Sequence, residues 1–142
     1  MKVSDVNMFQ EKVKDSLKAW ANNKIDILFP NKPQVRAIVK NGISNILCRV
    51  NDNINSYIDN LVLFLGDKEG NVDTDSMVDM AVNIFNEMEE SSIDLGMIRI
   101  RTNKGELFID LPNNIFLNML VGNLGSVRLT SEDFKELKDY LN

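Results

Sequence analysis

The sequence predicts an α+β fold, predominantly helical: an N-terminal three-helix bundle around a long central helix, followed by a β-hairpin with two short C-terminal helices. Three observations carry this reading. Apolar residues recur at spacings of three and four through residues 6–88, the period of a helix with one buried face. From Met97 the spacing becomes two, the period of a strand. A helix-start signal, an apolar residue before a capping side chain and another four residues after it, occurs at Ser4, Asp73 and Thr130.

The first helix is expected over Asp5 to Ala21, where Val6, Phe9, Val13, Leu17 and Trp20 draw one stripe. Ser4 is its expected cap, with Val3 stapling onto Met8. The short apolar piece Ile25–Phe29 leads to Pro30-Asn31-Lys32-Pro33. Proline is tolerated in a first helical turn, so a second helix should begin there, capped by Asn31 with Gln34 as reciprocal partner.

The longest pattern runs from Val35 to Leu65 and reads as one helix, weakest at Asn51-Asp52-Asn53. Its last third is apolar beyond a single face, because Tyr57, Leu63 and Phe64 join the stripe. Such a helix must be covered on several sides, so Tyr57, Ile58, Leu61, Leu63 and Phe64 form the expected interface. A third helix follows the turn 66–71, capped by Asp73, stapled by Val72 and Met77, with Met77, Met80, Ala81, Ile84, Phe85 and Met88 as its core stripe.

Met97 to Thr102 and Glu106 to Leu111, joined by Asn103-Lys104-Gly105, read as a β-hairpin. Pro112 to Val121 reads as a short helix closed by Gly122 and Gly125, and Val127 to Leu129 as a third short strand. The last helix starts at Thr130, with Asp133 at the third position, and buries Phe134, Leu137 and Leu141. The whole of 1–142 is expected to be one domain, a helical part over 1–93 with 94–142 packed on it.

The chain has 142 residues, 44% hydrophobic and 26% charged, which is globular composition. A single cysteine, Cys48, excludes an internal disulfide and fits a reducing compartment. The N-terminus turns polar at once, without the apolar core of a signal peptide. The longest purely apolar run, Leu61 to Leu65, is far short of the roughly 20 residues that span a bilayer. A cytoplasmic protein with no membrane association is therefore expected. The net charge of −5 is concentrated in residues 67–96, where one lysine faces nine acids. A solvated helix with acids near its N-terminus accounts for most of that segment; an acidic patch for a basic partner is the functional reading.

No histidine is present, so the commonest general base is missing and Ser-His-Asp and Cys-His arrangements are excluded. Cys48, beside Leu47 and Val50, reads as a buried, inert thiol. Carboxylate pairs could still do acid–base work, but nothing fixes two acids across a cleft, and a carboxylate-dependent enzyme is disfavoured. Asp67, Glu69, Asn71, Asp73 and Asp75 have the alternating spacing of a calcium loop. Val72 and Val78 stand where that loop needs its glycine and its bidentate glutamate, so metal binding is disfavoured as well. Gly122-Asn123-Leu124-Gly125 is too short for a phosphate loop, and no cofactor is expected.

Arg36 and Lys40, one helical turn apart, and Arg99 and Arg101, on one face of the hairpin, are the candidate nucleic-acid contacts. On an acidic protein they read better as solvated faces. The function these readings favour is a non-enzymatic interaction or assembly protein, self-associating or bound to a protein partner. The alternative is a virion component, or an acidic inhibitor of a host nucleic-acid-binding factor, encoded by a phage or mobile element. Nineteen asparagines, which fit an AT-rich genome, motivate that alternative.

Overall fold

The computed structural model describes residues 3–95, 98–111 and 126–142. The first helix, α1 (Val6–Leu28), is capped by Asp5 and not by Ser4: the Asp5 carboxylate accepts from the amides of Asn7 at 2.9 Å and Met8 at 3.3 Å. Met8 is exposed, so the expected staple does not form. The helix also runs seven residues past Ala21. Ala21 and Ile25 continue the buried stripe of Phe9 and Trp20, and this packing overrides the weak helix propensity of Asn22 and Asn23.

Helix α2 (Pro33–Arg49) has proline in its first turn and Lys32, without a side-chain bond, at its cap. Asn31 is in the left-handed region at φ 60 and turns the chain instead of capping it. The expected long helix is two helices. Val50, at φ −101 and ψ 11, separates α2 from α3 (Asn51–Leu65), although its amide still reaches Ile46 O at 3.0 Å. Helix α4 (Thr74–Glu87) starts as predicted, the Asp73 carboxylate accepting from the amides of Asp75 and Ser76.

Four strands follow in the order β1 (Ser91–Asp94), β2 (Arg99–Asn103), β3 (Glu106–Asp110) and β4 (Ser126–Thr130), all antiparallel neighbours. The β2–β3 turn has Lys104 at φ 41 and Gly105 at φ 83, the two left-handed residues that a tight hairpin needs. Strand β1 is an addition to the expected elements; Ser91-Ser92-Ile93-Asp94 offers one apolar residue and no alternation to read. Thr130 and Asp133 make the expected capping box at α5 (Ser131–Lys135), and the chain re-enters helix as α6 (Leu137–Leu141). The helix expected over 112–121 lies outside the described residues.

The fold is thus α+β and predominantly helical; α1 and the residue that caps it supply buried side chains to all three core clusters, whereas the 35–65 segment supplies them to two. Ile25 and Phe29 pack with Val35, Val39, Ile98, Ile100 and Ile109 against the sheet. Trp20 and Ala21 meet Leu129. Phe9 joins Ile58, Leu61, Met77, Val78, Val82 and Leu141. Among the described residues no helix is long and apolar enough to cross a membrane.

Candidate functional site

Helices α3 and α4, joined by the connection 66–73, flank an apolar cleft of about 680 Å³. The α3 wall is Val50, Ile54, Tyr57 and Leu61; the α4 wall is Met77, Ala81, Phe85 and Met88. Val13 and Leu17 of α1, Leu107 of β3, and Phe134, Leu137 and Leu141 make the floor. Asn53, Tyr57 and Thr102 are the lining residues whose side chains carry a polar group. Each wall advances eleven residues, which at 1.5 Å per residue is about 16 Å.

The cleft exists because α4 carries more apolar residues than one core face can use. Its buried face is Thr74, Met77, Val78 and Val82. The expected core stripe divides: Met77 is buried, Met80 and Phe85 are half-buried, and Ala81, Ile84 at 49% and Met88 at 39% are exposed and form the α4 lip. On α3, Ile58 and Leu61 are 1% and 5% exposed: they pack with Phe9 and Val78 in the core and line the inner part of the cleft, so they are not the outward-facing residues that the sequence pattern suggests. Tyr57 is half-buried in the wall. Phe64, seven residues beyond Tyr57, extends that wall and is 76% exposed, whereas Leu63, two residues after Leu61, lies on the far side of α3 and is also exposed.

Tyr57 is chemically unusual. Its Oη is closed off from solvent and has no hydrogen-bond partner, and burial pushes its pKa above the ordinary tyrosine value. The ring of Phe134 on the cleft floor is held between Trp20 and Phe85, each with its centroid 4.9 Å away.

No family model, curated protein or solved structure matches this chain. Any functional reading therefore rests on its own residues.

The other candidates are largely engaged inside the fold. Lys40 pairs with Asp26 at 2.8 Å, and Arg36 approaches the same carboxylate at 3.8 Å while donating to Phe29 O at 3.3 Å. Arg101 grips Asp110 through two nitrogens, at 2.5 and 3.0 Å, and lies 4.7 Å over the Phe108 ring. Those hydrogen bonds to Asp110 make the guanidinium still more basic. Arg99 is exposed and donates to Ser92 Oγ at 3.3 Å. On the calcium-like stretch, the Asp67 carboxylate accepts from the amides of Glu69 and Asn71 and from the Asn71 side chain. The Asn71 bonds foremost hold its pKa below the usual carboxylate value. Asp73 caps α4, and Asp75 accepts from Asn142 at 2.9 Å. Glu69 and Asn71 are exposed on the turn. These acids organise their own turn, and no acidic cluster suited to a metal occurs among the described residues.

Cys48 is a correction. It is exposed, not buried, and lies with Lys14, Lys18 and Ser44 around a shallow hollow. Its sequence neighbours are apolar, but the buried face of α2 is Val35, Val39 and Gly42, and Cys48 lies off that row.

Proposed function

We propose that this chain is a non-enzymatic interaction protein whose binding surface is the α3–α4 cleft. One observation carries the reading: a carbon-lined cleft of about 680 Å³ includes solvent-exposed Ala81 and Met88 in its lining. Protein interiors are close-packed with few voids larger than a water molecule, so unfilled apolar space of this size with open lips fits a binding site. The test is uptake of the neutral, environment-sensitive dye Nile red by native protein. Saturable binding is expected, and Ala81→Trp, which fills the cleft from an exposed position, abolishes it; Leu63→Asp on the opposite face leaves it intact. Failure of natively folded protein to take up dye would overturn the proposal.

Self-association is a second reading, favoured by Leu63 and Phe64, which are 82% and 76% exposed on two sides of the last turn of α3. Light scattering over a wide concentration series tests it. A mass that stays at 16.1 kDa throughout removes it.

A further inference from the structure

We infer that two copies of this chain exchange their α1–α2 hairpins: Val50 straightens, α2 and α3 become one continuous helix, and each hairpin docks on the rest of the other copy. This exchange is independent of the cleft. Its hinge is a single residue, and nothing in the sequence around it stops a helix: Leu47-Cys48-Arg49-Val50-Asn51-Asp52-Asn53 holds no glycine or proline. The apolar stripe passes through the break without a change of phase, from Val39, Ile43 and Ile46 through Val50 to Ile54, Ile58 and Leu61. Backbone bonds of helical spacing survive on both sides, from Val50 N to Ile46 O at 3.0 Å and from Ile54 N to Val50 O at 2.8 Å. Among the described residues, no backbone bond runs from the amides of Asn51, Asp52 or Asn53 back to α2, and no side chain caps α3 in exchange. A straight helix satisfies those three amides.

Within one chain, straightening would pull Phe9 off Ile58 and Leu61, and Trp20 off Leu129. A second copy supplies the same partners. The hairpin moves as a unit, because Lys40 pairs with Asp26 at 2.8 Å and Arg36 donates to Phe29 O at 3.3 Å. The backbone passes once, at Val50, between this unit and everything else it packs against. One residue therefore decides whether those contacts are made within a chain or between chains. They include Gln10 Nε2 to Asp59 Oδ1 at 2.6 Å, Ser16 Oγ to Tyr140 O at 3.2 Å, and Lys24 to Glu136 at 2.7 Å. The closed monomer and the exchanged dimer thus share their core and differ at the hinge, the condition under which a short connection favours exchange.

The experiment refolds an equal mixture of isotope-labelled and unlabelled full chain from denaturant at high protein concentration and isolates the dimer by size exclusion. A carbodiimide then joins each lysine to a carboxylate it touches, and the linked peptides are weighed by mass spectrometry. Lys24 and Glu136 lie on opposite sides of the hinge, whereas Lys40 with Asp26 and Lys138 with Asp79 each lie on one side. About half of the Lys24–Glu136 product is expected to carry one labelled and one unlabelled arm, while the other two products stay isotopically pure. Inserting Gly-Ser-Gly after Val50 lets the chain fold back on itself and lowers the dimer yield about tenfold. Asp52→Ala with Asn53→Ala, two exposed positions whose residues favour a helix start, raises the yield. A dimer whose Lys24–Glu136 product is isotopically pure joins through its surface, as through Leu63 and Phe64, and overturns the exchange. Refolding to monomer alone at every concentration overturns it too, and a yield that the insertion leaves unchanged overturns the hinge at Val50.

Discussion

Replacing Tyr57 with Phe should make this protein more stable, against the usual direction of substitutions in a packed region. Tyr57 Oη is buried and has no partner in the fold. In the unfolded chain the same hydroxyl is hydrogen-bonded to water, so folding removes that bond without replacing it. A buried, unsatisfied group of this kind costs about 1–3 kcal/mol. Against this, the dispersion attraction between one oxygen and its neighbours is worth only about 0.1–0.2 kcal/mol per atom pair. We therefore expect Tyr57→Phe to gain about 1 kcal/mol, seen in urea denaturation as a higher midpoint with an unchanged slope, or a melting temperature raised by about 4 °C. A second readout follows from the phenol's ionisation. Burial raises its pKa in the folded state above the unfolded value. Its contribution is then complete below the unfolded pKa, near 10, and is lost as pH rises through the folded value. Lys24 and Lys138, whose folded pKa values are also raised, lose stability in the same alkaline window in both proteins, so the difference between wild type and variant isolates Tyr57. Equal or lower stability of Tyr57→Phe, with superimposable alkaline profiles, would refute the reasoning.

Three further outcomes are expected. Asp133 is pushed up by burial, but the Thr130 amide and Lys24 outweigh this and hold its pKa below the usual carboxylate value. Its contribution is present above the unfolded pKa and lost as pH falls through the folded one, so Asp133→Asn should cost about 1–2 kcal/mol at neutral pH and flatten the acid limb of stability against pH. In α2, a Cβ on Gly42 would collide with Ile98 Cδ1 in the core. Gly42→Ala should thus lose about 1 kcal/mol net, overpacking outweighing the helix-propensity gain; a more stable variant in urea would contradict this. Cys48 should react with an aromatic disulfide reagent in native protein at nearly the rate seen in denaturant, and protection until unfolding would contradict its exposure.

What is legible in the sequence is local. Asp73 and Thr130 cap their helices as expected, because a cap needs only its own residue and the next three. The β2–β3 hairpin is legible for the same reason, in Asn103-Lys104-Gly105 between alternating segments. What the sequence hides depends on neighbours far along the chain. The continuation of α1 past Ala21 is held in place by Lys24, which reaches Asp133 at 3.0 Å and Glu136 at 2.7 Å, partners more than a hundred residues away. On α4, the excess of apolar residues is visible, but its direction is not: two adjacent rows are apolar, and only the approach of Phe9, Ile58 and Leu141 decides that Val78 and Val82 are buried while Ala81 and Ile84 stay at the lip. At Tyr57 to Phe64 the sequence shows the size of the apolar surplus but not its distribution, since Ile58 and Leu61 belong to the core.

The cleft is also where folding and binding meet. Its floor comes from α1, β3, α5 and α6, so it forms only when the C-terminal helices dock. Trp20 Nε1 donates to Asp133 O at 3.1 Å, Ser16 Oγ to Tyr140 O at 3.2 Å and Thr74 Oγ1 to Asn142 Oδ1 at 2.6 Å, while Lys138 pairs with Asp79 at 2.7 Å. These bonds fasten α5 and α6 to α1 and α4 without reaching the lips. Variants that loosen the docking of the floor, such as Asp133→Asn, should therefore lose stability and binding together, whereas exposed Ala81 and Met88 at the lip can change binding alone. A cleft ligand in turn stabilises the fold by RT ln(1 + [L]/Kd), about 2.7 kcal/mol at a hundredfold excess over Kd. If that gain disappears in Ala81→Trp while the unliganded stability holds, the stabilisation comes from the cleft and not from a nonspecific coating of apolar surface.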